Sequence, residues 1–391
     1  MINNPEIIVA GHLCLDIIPG LQNINIQKAE DFFVPGKLVD SSPAVVSTGG
    51  CVSNTGLGLV KMGINAALMG KVGKDSFGRI IKMIFRDDWG VTDGLIVDEN
   101  SVTSHTTVIS PKGYDRMFLH CPGANDTFSI SDIDFDLVAK ARHFHFGYPP
   151  LMRNMYVKDG EELVKIFRMA KEFGVTTSLD MALPDPDSES GKIDWKKYLQ
   201  NVLPYVDIYL PSAEEILFML DKEKFVEYQN KSSGDSIPLF TGDDLHEISS
   251  SLLDMGAKII MIKCGHRGSY IRTAGNDKLS SIQNDFFNID EWENIELWQP
   301  AFEINVRPNA TGSGDATIAG FLAAYIRGYS AKKTIQYANA TGACSVTAPG
   351  ALAGLLSWEE LSEKIDKGWK SAFLEIKGEG WEKTANIWKR K

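Results

Sequence analysis

The stretch Asn309-Ala-Thr-Gly-Ser-Gly-Asp315 runs directly into the apolar segment Ala316-Thr-Ile-Ala-Gly-Phe-Leu-Ala-Ala-Tyr325. Small residues at Gly312, Ser313 and Gly314 let the backbone turn tightly, so that several N–H groups converge where a following helix presents its positive dipole end. Such a place favours a phosphate. Asp315 falls in the first turn of that helix, and its carboxylate can face the same spot. A carboxylate beside a phosphate cradle works against binding alone, but it is what phosphoryl transfer to a hydroxyl requires: one group accepts the proton while others hold the developing negative charge. The same letters also describe an ordinary turn followed by a helix with an N-terminal acid. The rest of the chain has to decide between the two.

Working outward, 391 residues are enough for one large α/β domain or two ordinary ones. A hydrophobic share of 43% with 23% charged residues is that of a water-soluble globular chain. The net charge of −11 argues against nucleic acid or an anionic membrane as partner, because both select basic surfaces. Five cysteines, at 14, 51, 121, 264 and 344, are scattered without a Cys-x-x-Cys pair, so neither a disulfide framework nor a zinc site is indicated, and a reducing cytoplasm is expected. The apolar run Ile7–Ile18 is interrupted by His12 and Asp16, which disqualifies it as a signal-peptide core or a membrane span. It reads as one buried strand that ends at an acid.

From residue 50 onward strand-like runs alternate with segments of helical period. Ser76–Trp89 places Ile80, Ile81, Ile84 and Phe85 on one face and stops at Gly90; Glu161–Phe173 does the same with Leu163, Phe167 and Ala170 and stops at Gly174. Strands are expected at Val175–Leu179, Asp207–Leu210 and Ala257–Lys263. This alternation predicts an α/β fold with a mostly parallel central sheet covered by helices on both faces, and a ligand crevice beyond the carboxyl ends of the strands. Residues 17–48 and 102–121 lack helical period and are rich in β-branched and turn residues; they are expected to form strands outside the main sheet, as a small lid. Residues 221–242 and 274–300 are polar and irregular and read as surface insertions.

A second glycine-rich segment, Thr48-Gly-Gly-Cys-Val-Ser-Asn54, leads into a helix and then into Gly70-Lys-Val-Gly-Lys-Asp-Ser-Phe-Gly78. Neither a Walker loop nor a Gly-x-Gly-x-x-Gly fingerprint is present. The paired glycines permit a small polar ligand to approach the backbone, and Asn54 can donate and accept at once, or simply cap its helix. Together with Arg116, Gly123-Ala-Asn125, Lys263-Cys-Gly-His-Arg-Gly268, Tyr337-Ala-Asn-Ala340 and Val346-Thr-Ala-Pro-Gly-Ala351, these segments resemble the PfkB family of carbohydrate kinases, in order and spacing, over almost the whole chain.

The resemblance implies a ribokinase-like three-layer α/β fold spanning 1–391 with the β-strand lid, and an ATP- and Mg²⁺-dependent kinase acting on a sugar or polyol. It casts Asp315 as the catalytic base and Gly312, Ser313 and Gly314 as the anion hole, in agreement with the reading of the residues themselves. It places sugar hydroxyls against Asp16, Gly49, Gly50 and Asn54, and nucleotide against Lys263, Gly265, Asn339 and Gly350. It also implies pairing of lid strands into a homodimer. Two positions depart from the family pattern. Asn309 stands where an acid helps shape a monovalent-cation loop, which puts cation activation in doubt. Ser212-Ala-Glu-Glu215 replaces Asn-x-x-Glu: Glu215 remains a candidate outer-sphere magnesium residue, although Ser-x-x-Glu is also a helix capping box. The competing readings are a nucleoside kinase of the same fold, with Phe32 and Phe33 as candidate base contacts, and a non-catalytic binding relative.

Overall fold

The computed structural model describes residues 4–21, 34–110, 117–232, 234–282, 284–306 and 311–391; Phe32, Phe33, Arg116 and Asn309 lie outside these residues. In chain order the strands are β1 (Ile7–Gly11), β2 (Cys14–Gly20), β3 (Ser42–Gly49), β4 (Ala66–Met69), β5 (Lys71–Gly73), β6 (Ile96–Asp98), β7 (His105–Ile109), β8 (Met117–Cys121), β9 (His143–Gly147), β10 (Thr176–Leu179), β11 (Ile208–Tyr209), β12 (Ile259–Lys263), β13 (Ser269–Thr273), β14 (Glu296–Gln299), β15 (Trp381–Thr384) and β16 (Ile387–Arg390). The main sheet has the order β15-β16-β14-β13-β12-β11-β10-β9-β1-β4. From β4 to β12 every pairing is parallel, and from β12 outward to β15 every pairing is antiparallel.

The parallel strands are buried on both faces, as their near-continuous apolar sequences require. Along β1, Ile8 and Ala10 join one core while Ile7 and Val9 join the other, the period of two expected of a strand. Helices Glu161–Glu172, Trp195–Val202 and Gly242–Asp254 cover the first face. Helices Cys51–Lys61, Ser313–Ile326 and Ala331–Ser345 cover the second, which makes three layers. Each buried Leu or Phe in these layers contributes about 1.5–3 kcal/mol. The Ser313–Ile326 helix is buried almost all round, because small residues let its neighbours come close: a Cβ on Gly320 would lie 2.3 Å from Thr341 Oγ1, and one on Gly58 would lie 3.0 Å from the Ala319 methyl. Its N-terminus is thereby fixed in depth and direction.

A second sheet, ordered β3-β2-β7-β8, grows from the carboxyl end of β1. It carries exposed Val45, Val46, Met117, Phe118 and Leu119.

Four expectations change. The Ile7–Ile18 run is two strands: it breaks after Gly11, whose φ of +124° and close approach to the Gly147 carbonyl suit only glycine, and Asp16 lies inside β2 in the second sheet. The Asn125 side chain holds the crossing, accepting from Leu13 N (3.2 Å) and donating to Leu13 O (3.0 Å). Residues 274–300 are no mere surface insertion: they supply β14 to the main sheet and bury Leu279, Trp292 and Trp298. Residues 221–242 contain the helix Lys222–Lys231 and bury Phe225, Ile237 and Phe240. In both, a few large apolar side chains anchor chain that is polar on average. The Ser76–Met83 helix, expected to run to Trp89, changes to a wider turn at Ile84–Asp88. Among the described residues no helix is long and apolar enough to cross a membrane.

Candidate active site

Five strands deliver polar side chains to one edge of the sheet. His12 follows β1, Tyr148 follows β9, Asp180 follows β10, Ser212 comes two residues after Leu210 beyond β11, and Lys263 closes β12. This is the edge where α/β sheets hold ligands. The N-terminus of the Ser313–Ile326 helix faces it. Gly312 is the N-cap, at φ +73°, ψ 4°, a left-handed conformation natural to glycine. A Cβ there would lie 2.2 Å from the Ala351 methyl, so the loop through Gly350 rests directly on the turn. No side chain caps this end, and by helix geometry its first amides point outward along the axis.

Asp315 is 2% exposed. Its Oδ2 accepts from Asn54 Nδ2 at 2.9 Å, and the Tyr148 hydroxyl donates to Oδ1 and Oδ2 at 2.8 and 2.9 Å. Burial pushes its carboxyl above the usual range, and the bonds from Asn54 and Tyr148 pull against that, as does the nearby Lys263 ammonium. Lys263 is buried, with Nζ 2.7 Å from Asp180 Oδ1 and 2.8 Å from the Leu210 carbonyl. Burial disfavours its charge, but the Asp180 and Glu215 carboxylates prevail and hold it above its ordinary value, so it is an ammonium at neutral pH. A Cβ on Gly314 would lie 3.7 Å from Lys263 Cε and 4.0 Å from Nζ; the lysine therefore lies alongside the glycine turn. A fixed cation, a helix N-terminus and a buried carboxylate meet at one point.

The acceptor-side residues form a second group. Asp16 lies flat on the backbone of Gly49, where a Cβ would stand 2.3 Å from Oδ2. Burial raises its carboxyl, and hydrogen bonds from Cys14 and Thr106 oppose the rise. Gly50 makes room for His12: a Cβ there would lie 2.6 Å from Nδ1. His12 is buried beside His120 and Tyr148, with ring centroids 5.4 and 6.0 Å away, and burial followed by the His120 charge lowers its pKa to about 3. It is a neutral imidazole at working pH.

On the opposite side, Gly265 (φ +50°) opens the turn after β12, with Ile237 Cγ1 3.6 Å from its would-be Cβ, and Gly350 (φ +82°) has open space around it. Asn339 is engaged with protein: Oδ1 accepts from Ser269 Oγ at 2.7 Å, and Nδ2 donates to the carbonyls of Gln299 (2.9 Å) and Pro300 (3.2 Å). It ties the ends of β13 and β14 together. Glu215 closes a capping box with Ser212: Oε2 accepts from Ser212 N at 2.6 Å, and Glu215 N donates to Ser212 Oγ at 3.3 Å. Its carboxyl is also raised, first by burial, while Lys263 opposes. Tyr148 and Asp180 escaped the sequence reading. Asp180 carried a signal, an acid directly after a buried strand; Tyr148 carried only its place after the glycine that ends β9.

A doubly covered sheet with a glycine-cradled helix N-terminus, a buried acid and a fixed lysine at its carboxyl edge defines a phosphotransferase of ribokinase-like fold. The fold matches that of Arabidopsis thaliana ribokinase complexed with ribose and ATP, with a TM-score of 0.67 at 19% identity over 92% of this chain and 98% of that one. It likewise matches fructokinase with bound ATP from Xylella fastidiosa, with a TM-score of 0.67 at 17% identity over 93% and 99% of the two chains. The sequence is similar to the probable fructokinase-6, chloroplastic, of Arabidopsis thaliana, 24% identical over 376 residues that cover 93% of this chain and 83% of that protein. The pfkB family carbohydrate kinase pattern matches residues 14–358, and the chain belongs to that family: it is a carbohydrate kinase, a phosphotransferase with an alcohol group as acceptor.

Proposed function

We propose that the protein transfers the γ-phosphoryl group of ATP to a hydroxyl of a sugar or sugar-like polyol, with Asp315 as general base. The observation that carries this reading is the meeting of buried Asp315, the Gly312–Gly314 turn and Lys263 at one point. The acceptor hydroxyl gives its proton to Asp315, its oxygen attacks the γ-phosphorus, the bond to the β-phosphate oxygen breaks, and ADP leaves. The amides of Gly312, Ser313 and Gly314 with the Lys263 ammonium hold the charge on the transferred group. Asp16, with Gly49, Gly50 and Asn54, receives the acceptor: a carboxylate lying on a glycine backbone accepts from vicinal hydroxyls. Gly265 and Gly350 border the nucleotide, and Asn339 holds the strand ends beneath it. The solved relatives named with ATP and with ribose support both halves of the assignment.

Among the described residues no three His, Cys, Asp or Glu side chains are assembled as a cation cage. The residues suit a magnesium ion that arrives on the nucleotide and keeps most of its waters; Glu215, whose buried carboxylate stands close enough to feel both Lys263 and Asp315, would reach it through water. Bound there, magnesium would neutralise charge on the β- and γ-phosphates.

The test is Asp16→Ala. Losing a carboxylate that accepts from acceptor hydroxyls should raise KM for the sugar about tenfold or more while KM for ATP stays put. A variant whose ATP affinity falls while its sugar affinity holds would show the two sides to be reversed.

A further inference from the structure

Among the described residues, Tyr148 is the one side chain hydrogen-bonded to both oxygens of Asp315. Its backbone is unusual: φ 64°, ψ 42°, a left-handed conformation that is uncommon for a bulky residue and that collects at functional sites. The surroundings over-determine it. Gly147, before it, is pressed against Cys51, where a Cβ would stand 2.5 Å from Sγ; Pro149, after it, is buried and disfavours a right-handed helical conformation at 148. The chain thus spends local strain to bring one phenol to one carboxylate.

A phenol has a single proton, and at 2.8 and 2.9 Å that proton is shared between the two carboxylate oxygens. Asn54 donates only to Oδ2. Oδ1 is therefore the less occupied oxygen, the place for the proton of an incoming hydroxyl. We propose that Tyr148 is a positioning residue for the phosphotransfer: its donated bond holds Asp315 as an anion, with Oδ1 the oxygen left for the acceptor's proton. This rests on Asp315 being the base.

The other groups around Asp315 explain why such a donor is needed. The carboxyls of Asp180 at the end of β10 and Glu215 in the Ala213–Leu220 helix compete with Asp315 for negative charge in this space, and Lys263, the nearby cation, is already bonded to Asp180. Burial raises the Asp315 carboxyl further. The tyrosine stays protonated, because burial and the Asp315 charge hold its own pKa well above the ordinary value. It is a donor at every pH at which the enzyme works.

The sign of the effect follows. A base must be ionised, so kcat/KM rises with pH through the Asp315 pKa. Removing a bond to the ionised form raises that pKa. Tyr148→Phe keeps the ring and loses only the hydroxyl; its acid limb should move to higher pH by roughly one to two units, with turnover returning near the native level above the limb. Placing 3-fluorotyrosine at 148 gives a stronger donor and should move the limb the other way, which keeps the question answerable should the Phe variant fold poorly. A uniform loss of turnover at all pH values, or limbs that stay fixed in both proteins, overturns the inference. If the limbs stay fixed while Asp315→Asn is inactive, only this inference falls; if Asp315→Asn turns over at the native rate, the assignment of the base falls with it.

Discussion

Among the helices of this protein that carry an acid in the first turn, two hold it in opposite ways. At the Ala213–Leu220 helix, Glu215 folds back to its own N-cap, bonding Ser212 N while Ser212 Oγ accepts from Glu215 N; the helix satisfies its own end. At the Ser313–Ile326 helix the cap is a glycine with no side chain, and Asp315 turns away to partners on two other elements, Asn54 and Tyr148. An acid bonded to its own cap quiets a helix terminus. An acid bonded elsewhere leaves the dipole end to a ligand and keeps a lone pair for a proton.

The strongest way to sharpen this contrast is to disturb the glycine cap. Gly312→Ala forces a side chain onto a left-handed residue and into Ala351, which should pull the amides proposed to hold the transferred group out of line and lower kcat by roughly a hundredfold or more, the scale seen when one such donor is lost. Native turnover in that variant, measured by coupled ADP release, would mean the turn does not bind the transferred group. The smaller effect is on the other helix. Glu215→Ala removes half of a capping box and should cost about 1 kcal/mol of stability in denaturant unfolding, with less than a tenfold loss of turnover. A loss as large as that of Gly312→Ala, with unchanged stability, would place Glu215 in the chemistry and erase the contrast.

Much of this was legible in the chain. The alternation of buried runs with helical periods gave the parallel half of the sheet, and the glycine turn at 312–314 that opens a helix with Asp315 in its first turn was visible because its parts are neighbours in sequence. The capping box at 212–215 was visible for the same reason, and it forms. What escaped depends on contacts across long stretches of chain. Tyr148 lies 167 residues from Asp315 and Asp180 lies 83 from Lys263, and no local pattern links either pair. The strand β14 was hidden differently: four residues with two tryptophans close by, inside a polar stretch, have too short a period to stand out. The break at His12–Leu13 was masked by an apolar run that continues through it, and is fixed by partners distant in sequence, the side-chain amide of Asn125 and the Gly147 carbonyl.

The central claim is that Asp315 takes the acceptor's proton and does little else. Asp315→Asn replaces one oxygen by an amide of the same shape and leaves Asn54 and Tyr148 a polar partner. With ATP titrated by calorimetry and turnover followed on the same preparation, the account predicts an ATP affinity within about twofold of native and a kcat lower by roughly a hundredfold or more. Native turnover, or an ATP affinity that collapses along with it, would contradict the assignment of Asp315 as the base.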